Sequence, residues 1–368
     1  MNRVRFCELG FSLGELPAGE QNAITDVAGV RVGHTTLIAG TGPLLPGKGP
    51  VRTGVTVILP HGENLFQQKV TAAVYTINGF GKACGFEQVR ELGIIEAPIA
   101  LTNTLNIGLV LDALFQHSIQ ENPAIGIRTS SVNIVVGETN DGYLNDLQGR
   151  HVRAEHVWAA LEKAAPGPVQ EGSVGAGTGT ICFGWKGGIG SASRVLPDAL
   201  GGFRLGALVQ SNFGSAQDLR ILGVPIGSLL ARPGSVIRPD QGSVIVVLAT
   251  DAPLDSRQLE RLCVRVAAGL ARTGSSYHPS SGDFVIAFNT AWRIDHNPAS
   301  LTTNRRVLEN EARVLGGLFQ AVVECVEEAV LNSLSCAETI VGRDGHIAYG
   351  LPLDQVQELL DRHRVGRN

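Results

Sequence analysis

A chain of 368 residues with 43% hydrophobic residues, 17% charged residues and 46 glycines can bury a sizeable core and turns often, which excludes a fibrous or disordered protein. Its formal net charge of -4, with no basic run interleaved with aromatics, lacks the electrostatic footprint of a nucleic-acid binder. The opening MNRVRFCELGFSLGE has Glu8 inside what would be the apolar core of a signal peptide, and no later apolar run reaches the roughly 20 residues of a membrane span, so a soluble, cytoplasmic protein with no membrane partner is expected.

Residues 24–37 (ITDVAGVRVGHTTL) predict a turn and a short strand, followed by a Gly/Pro-rich loop from about Gly40 to Gly54 and a strand at VTVILP. Apolar APIAL ends near Thr102, a helix is predicted from Thr104 to about His117, and VNIVVGE reads as a strand running into the polar turn TNDGYLND. A further helix is predicted from about Ala154 to Ala164. The stretch EGSVGAGTGTICFGWKGGIGSASR is dense in glycine, yet a loop precedes Gly175 and strand-like TICFGW follows, the reverse of a dinucleotide fingerprint. Lys186 is followed by Gly187, so there is no Gly-Lys-Ser/Thr step either, and close backbone packing is the better account of these glycines.

After a turn-forming RPDQ, Gly242 leads into the apolar run SVIVVLA, which reads as a buried strand beginning at Ser243. A turn at Asp251-Ala252-Pro253 follows, then a capping box at Asp255 and Gln258 and apolar residues at helical spacing from Leu259 to Leu270, stopped by Gly274. DFVIAFNTA is another strand, and residues 301–334 predict a long amphipathic helix with a bend at Gly316-Gly317. Strands and helices alternate with no clean linker, so residues 1–368 read as one integrated α/β domain. Six cysteines (Cys7, Cys84, Cys182, Cys263, Cys325, Cys336) lie far apart without C-x-x-C spacing, which favours reduced core thiols over disulfides or zinc ligands.

The usual catalytic signatures are missing: there is no G-x-S-x-G elbow and no H-E-x-x-H, and His151 and His156 are five apart and do not share a helix face. What remains is a set of Ser, Asn and carboxylate residues. Were the Gly242-Ser243 bond cut, Ser243 would carry its own base, because a free α-amine has an ordinary pKa of about 8 and sits beside the hydroxyl. Gly-Ser also occurs at Gly172, Gly190, Gly214, Gly227, Gly234 and Gly274, so context must choose. The rival Ser235 has only Val236 and Ile237 before Arg238-Pro239, and proline does not continue a central strand. Ser235 therefore lacks a rigid element, whereas Ser243 sits at the mouth of a strand, which fixes a nucleophile better than a loop does, although an ordinary turn before a core strand reads the same way. Ser281 and Asp283 flank Gly282 on a turn into a strand and would point the same way, or form a plain Ser-Gly-Asp turn. Asn212 ends the strand of LVQSNFG, where its amide could donate to an oxyanion or face solvent, and Glu138 is an acid at a strand end that would bind an ammonium or cap a turn.

The motifs TDVAGVRVGHT, VVGETNDGYLND, GAGTGTICFGWKGGIGSASR, LVQSNFG, GSVIVVLATDAP and SSGDFVIAFNTA occur in this order. Together they resemble the L-aminopeptidase/D-esterase family, which includes the β-peptidyl aminopeptidases, over about residues 10–360. The resemblance implies an α/β/β/α sandwich similar to N-terminal nucleophile hydrolases and self-cleavage into chains 1–242 and 243–368 that stay associated. It implies a substrate that is a small peptide, amide or ester with a free amine, no metal or organic cofactor, and a homo-oligomer such as a tetramer. Residue by residue, Gly242-Ser243 resembles the cleavage junction, Ser243 the nucleophile, Asn212 the oxyanion residue, Ser281 with Asp283 the supporting pair, and Glu138 an acid near the substrate amine. Asn140 departs from the pattern, since some relatives have Tyr there, and this puts the substrate preference in doubt. An amidase or acyl-transferring enzyme acting on a small metabolite amide, and an uncleaved scaffold protein, are the competing readings.

Overall fold

The computed structural model describes residues 3–230 and 242–363. The Gly234-Ser235 step and the RPDQ turn of residues 238–241 lie outside them.

The β-branched runs form two mixed sheets. The first has the order β1 (Arg31–Ala39), β2 (Val51–Leu59), β6 (Ile99–Asn103), β7 (Val135–Thr139) and β4 (Ala83–Cys84), with only the β6–β7 pair parallel. The second runs β10 (Ile189–Val195), β11 (Arg204–Asn212), β12 (Ser243–Thr250), β13 (Gly282–Asn289) and β3 (Gln68–Gly79); β5 (Ile94–Ile95) and β14 (Ile294–Asp295) also pair with β3. Here only β12–β13 is parallel. A two-residue hairpin, β8 (Ile181–Cys182) with β9 (Trp185–Lys186), stands apart.

Three apolar layers hold these elements. Ile58, Leu101, Val135, Leu208, Ile245 and Ile286 fill the space between the sheets. Helices α2 (Ile107–Glu121) and α3 (Ala154–Glu162) cover the outer face of the first sheet through residues such as Val110, Leu114 and Val157. Helices α5 (Ser256–Arg272) and α6 (Glu311–Ser335) cover the outer face of the second through Leu262, Val266, Leu318 and Val326. The result is the four-layer α/β/β/α sandwich. Shorter helices α1 (Phe86–Leu92) and α4 (Ile226–Leu229) fill the periphery.

Local chemistry accounts for the helix boundaries. Helix α5 starts where its capping box predicts: Asp255 Oδ1 accepts the Gln258 N–H at 2.7 Å, and Gln258 Oε1 accepts the Asp255 N–H at 2.9 Å. Helix α6 starts ten residues later than residue 301, because Asn310 caps it by accepting the Arg313 N–H at 3.3 Å, while Leu301 and Val307 are exposed. It continues unbroken across Gly316-Gly317. Strand β2 starts at Val51 rather than Val55, since pairing with β1 extends from Arg31–Leu59 to Ala39–Val51. His151 pairs with Asp146 at 3.0 Å, and His156 Nδ1 accepts the Arg153 N–H at 3.0 Å to close the first turn of α3. Cys182, Cys263 and Cys325 are core thiols; Cys7, Cys84 and Cys336 are half-buried. Among the described residues, no helix is long and apolar enough to cross a membrane.

Glycine sets the spacing of the layers. A Cβ on Gly33 would strike the Ala160 carbonyl of α3, and one on Gly190 the Ala329 carbonyl of α6. Between the sheets, a Cβ on Gly137 would sit 3.0 Å from the Ile245 side chain. Backbone cannot rotate out of the way as a side chain can, so Gly190→Val must push α6 off the second sheet. We expect it to destabilise the fold by at least about 2 kcal/mol, read as a lower urea midpoint at unchanged slope. An unchanged midpoint would show that α6 has slack over β10.

Candidate active site

Ser243 opens the central strand β12, opposite Asn212 at the end of β11 and Gly282 at the start of β13. It is 5% exposed. Two donors converge on its Oγ: the Asn212 side-chain amide at 3.2 Å and the Asn140 backbone N–H at 3.3 Å. The Asn212 amide cannot flip freely, because its Oδ1 accepts the Ile181 N–H at 3.0 Å and leaves Nδ2 facing the serine. Asn140 follows β7, so its N–H comes from the opposite sheet; its side chain turns to the Gly142 N–H at 2.9 Å.

On the other side of the junction, the Gly242 carbonyl accepts the Gly282 N–H at 3.2 Å. A Cβ on Gly242 would sit 2.8 Å from Ser281 Oγ, so the hydroxyl lies directly against this residue. Ser281 Oγ in turn donates to Asp283 Oδ1 at 2.6 Å, while Asp283 Oδ2 is buried without a hydrogen-bond partner among the described residues. Burial pushes the Asp283 carboxyl up to about 6, and the Ser281 hydrogen bond only partly opposes it. Asn78, on β3, holds the turn by donating to the Ser281 carbonyl.

Glu138 lies to one side, on β7. Its Oε1 accepts the Lys82 N–H at 3.0 Å, and the Lys82 ammonium, on a half-exposed side chain, is 3.8 Å away. Burial raises the Glu138 pKa against these partners. Among the described residues no hydrogen bond joins Glu138 to Ser243; Gly81 lies between Glu138 and the start of β13, since a Cβ there would lie 3.2 Å from Glu138 Oε1 and 3.4 Å from the Gly282 Cα. A buried serine at a strand start, with a side-chain amide and a backbone N–H aimed at it and a Ser-Asp pair against the preceding residue, is equipped for acyl transfer.

Residues 22–348 match Peptidase family S58. The chain belongs to that family. It is 41% identical over 359 residues, 93% of this chain and 87% of the relative, to the beta-peptidyl aminopeptidase BapA of Sphingosinicella xenopeptidilytica. Among solved structures, it superposes with a TM-score of 0.93 and 47% identity on the PH0078 protein of Pyrococcus horikoshii OT3, covering 98% of this chain and 99% of that one. The L-aminopeptidase D-Ala-esterase/amidase of Ochrobactrum anthropi, described as a new variant among the Ntn hydrolase fold, matches with a TM-score of 0.89 and 36% identity over 98% and 99% of the two chains. This S58 peptidase is therefore a serine hydrolase of the aminopeptidase class with an Ntn-like fold.

Two features of the S58 site were not legible in its sequence. The Asn140 donor is a backbone group, which no residue letter encodes. The other is Lys186, fully buried, whose ammonium donates to the carbonyls of Gly177, Thr180 and Gly187 at 2.9, 3.0 and 2.6 Å. Burial pushes its pKa down to about 7. Nearby Asp141, also buried and with Oδ2 unpartnered, is pushed up to about 7. The available signal was a lone lysine inside the apolar, glycine-rich CFGWKGG. The glycines themselves pack against backbone, as at Gly177 and Gly188, whose Cβ positions meet Gly188-Ile189 and Gly172.

The raised Asp283 value has a stability consequence. Folded Asp283 holds its proton to about pH 6, whereas an unfolded carboxyl releases it near pH 4, so the folded state is favoured below that window and loses this stabilisation as pH rises through about 6. The uncharged Asp283→Asn should therefore be more stable than wild type at pH 7, by about 1 to 3 kcal/mol, with the difference shrinking toward about pH 4. Urea midpoints at the two pH values measure this; a variant less stable than wild type at pH 7 would mean the carboxylate is favourably solvated there.

Proposed function

We propose that this S58 peptidase cleaves its own Gly242-Ser243 bond and then releases N-terminal residues from peptides, amides or esters through an acyl-enzyme on Ser243. The convergence of the Asn212 and Asn140 donors on Ser243 Oγ carries this reading.

In the self-cleavage step, Ser243 Oγ attacks the Gly242 carbonyl, and the peptide C–N bond breaks as the ester C–O bond forms. The Gly282 N–H, already on that carbonyl, stabilises the charge that develops there. Ser281, backed by Asp283, lies against Gly242, where it can relay the hydroxyl proton toward the departing nitrogen. Water hydrolyses the ester and leaves Ser243 with a free α-amine.

In turnover, that amine takes the Oγ proton as the hydroxyl attacks the substrate's first carbonyl and returns it to the leaving amine; water then hydrolyses the acyl-enzyme, freeing the first residue and restoring the Ser243 hydroxyl. Asn212 Nδ2 and the Asn140 N–H exchange their ground-state contact with Oγ for the oxyanion. Glu138 receives the substrate ammonium; it already holds one cation, Lys82, at 3.8 Å, and a buried acid gains most from a cation where water is partly excluded. Of the three relatives named above, two carry activities in their names: a beta-peptidyl aminopeptidase and an L-aminopeptidase D-Ala-esterase/amidase. With Asn140 where some relatives have Tyr, small residues, β-amino acids included, are the preferred first residues.

Purified protein should show two fragments of roughly 25 and 13 kDa, the smaller starting at Ser243, and Ser243→Ala should remain a folded, inactive single chain of 38.8 kDa. Intact-mass analysis decides this, and a fully active uncleaved chain would remove the self-processing step. Asn212→Ala should lower kcat by about 10² to 10³, and N-acetylated p-nitroanilides should be poor substrates beside their free-amine counterparts. Glu138→Gln should raise KM more than it lowers kcat. Equal turnover of acetylated and free substrates would favour the metabolite-amidase reading instead.

A further inference from the structure

The hairpin β8–β9 has a place in the site that its sequence does not disclose. Its Ile181 N–H holds Asn212 Oδ1, and its Phe183 N–H donates to the Phe213 carbonyl at 2.7 Å, so it docks along the residues that present the amide to Ser243. The peptide group that supplies the Ile181 N–H is the one whose carbonyl, on Thr180, accepts the Lys186 ammonium at 3.0 Å. The same ammonium grips Gly177 and Gly187 at either end of the turn and hairpin. A continuous chain thus runs from Lys186 through one peptide unit to the Asn212 amide and on to Ser243 Oγ.

We propose that Lys186 is a positioning residue for the oxyanion amide: by holding the Thr180 carbonyl it orients the Thr180–Ile181 peptide, whose N–H fixes Asn212 with Nδ2 toward Ser243. This rests on the reading of Asn212 as an oxyanion donor. Two physical effects support it. A charged donor on a carbonyl polarises the peptide and strengthens the hydrogen bond its N–H makes, and a buried chain of this kind tolerates little tilt. In its protonated form the lysine head has three donors for three carbonyls, so it cannot rotate freely; burial draws its pKa down to about 7, so this form prevails below neutral pH. The Gly187 N–H also donates to the Thr180 carbonyl, at 3.1 Å, so Lys186 adds a charged second donor to a peptide that the hairpin already holds. Here the gripped peptide is the one that touches Asn212. Asp141 and Cys182 are the titratable groups that act on Lys186 in this buried space.

The test compares Lys186→Met, Asn212→Ala and the double variant in the full-length protein, with kcat normalised to the fraction whose small chain begins at Ser243. Lys186→Met should lower kcat by about 10- to 100-fold with KM within about threefold, because only the transition state uses the oriented amide. In the Asn212→Ala background, the same change should cost less than about threefold, since the amide it positions is gone. Lys186→Gln, which keeps amide donors for part of the carbonyl set, should recover part of the loss and serves where Lys186→Met does not fold. Wild-type kcat in a folded Lys186 variant, or a loss that multiplies with Asn212→Ala, would overturn the proposal. So would failure of both Lys186 variants to fold, which would make the lysine a folding residue. Wild-type kcat in Asn212→Ala would instead bring down the oxyanion reading, and this proposal with it, whereas an impaired Asn212→Ala beside an unimpaired Lys186→Met would sink this proposal alone.

Discussion

The site depends on how closely the two sheets approach where the end of β7 crosses the start of β12. Ser243 Oγ and the Asn140 N–H belong to different sheets, and their 3.3 Å contact exists only because that separation is small. Gly137 permits it: its missing side chain leaves room for Ile245, two residues into β12 from Ser243. Gln210 reaches across from the second sheet: its Nε2, with two hydrogens to share, lies 3.1 and 3.0 Å from the Thr102 and Ala176 carbonyls and 2.7 Å from Thr139 Oγ1. Removing those acceptors would leave a buried donor unsatisfied, so the amide helps fix the relative position of the two sheets.

Polar burial concentrates around this crossing, and it works against stability. Asp283, Glu138 and Asp141 are all held above their ordinary values by burial, and Lys186 below its own. Each is a charge that would be cheaper in water. Asp283, through Ser281, and Glu138 are the two that the proposed reaction uses. The buried Arg194 is the contrasting case: its one guanidinium serves two carboxylates of α6, Glu324 at 3.0 Å and Glu328 at 2.7 Å, at the end of the sheet away from Ser243.

Much of the architecture was legible because it rests on local rules. The strand at Ser243–Thr250, the capping box of α5 and the strand at Gly282–Asn289 follow from residue periodicity and capping chemistry that act over a few residues. The late start of α6 was misread because Val307 and Leu308 continue an apolar spacing that nothing in the fold buries deeply, and Asn310 outcompetes it as a cap. The identity of the family was also carried by the sequence, through six ordered motifs, and the matches in sequence and structure agree with it.

By itself, then, the sequence determined which residue types stood at strand starts and turns: Ser243 before an apolar run, Ser281 and Asp283 on one turn, Asn212 at a strand end. Only the tertiary structure decided what each one meets. Strand order placed Asn212 and Gly282 on either side of Ser243, sheet packing brought the Asn140 N–H across, and the β8–β9 hairpin linked Lys186 to the Asn212 amide. Apart from the grip of Lys186 on its own hairpin, these are contacts between segments tens of residues apart, several made by backbone groups common to every residue. Periodicity and spacing report only what neighbours along the chain do, whereas a site is defined by which distant donors share one small, water-poor volume.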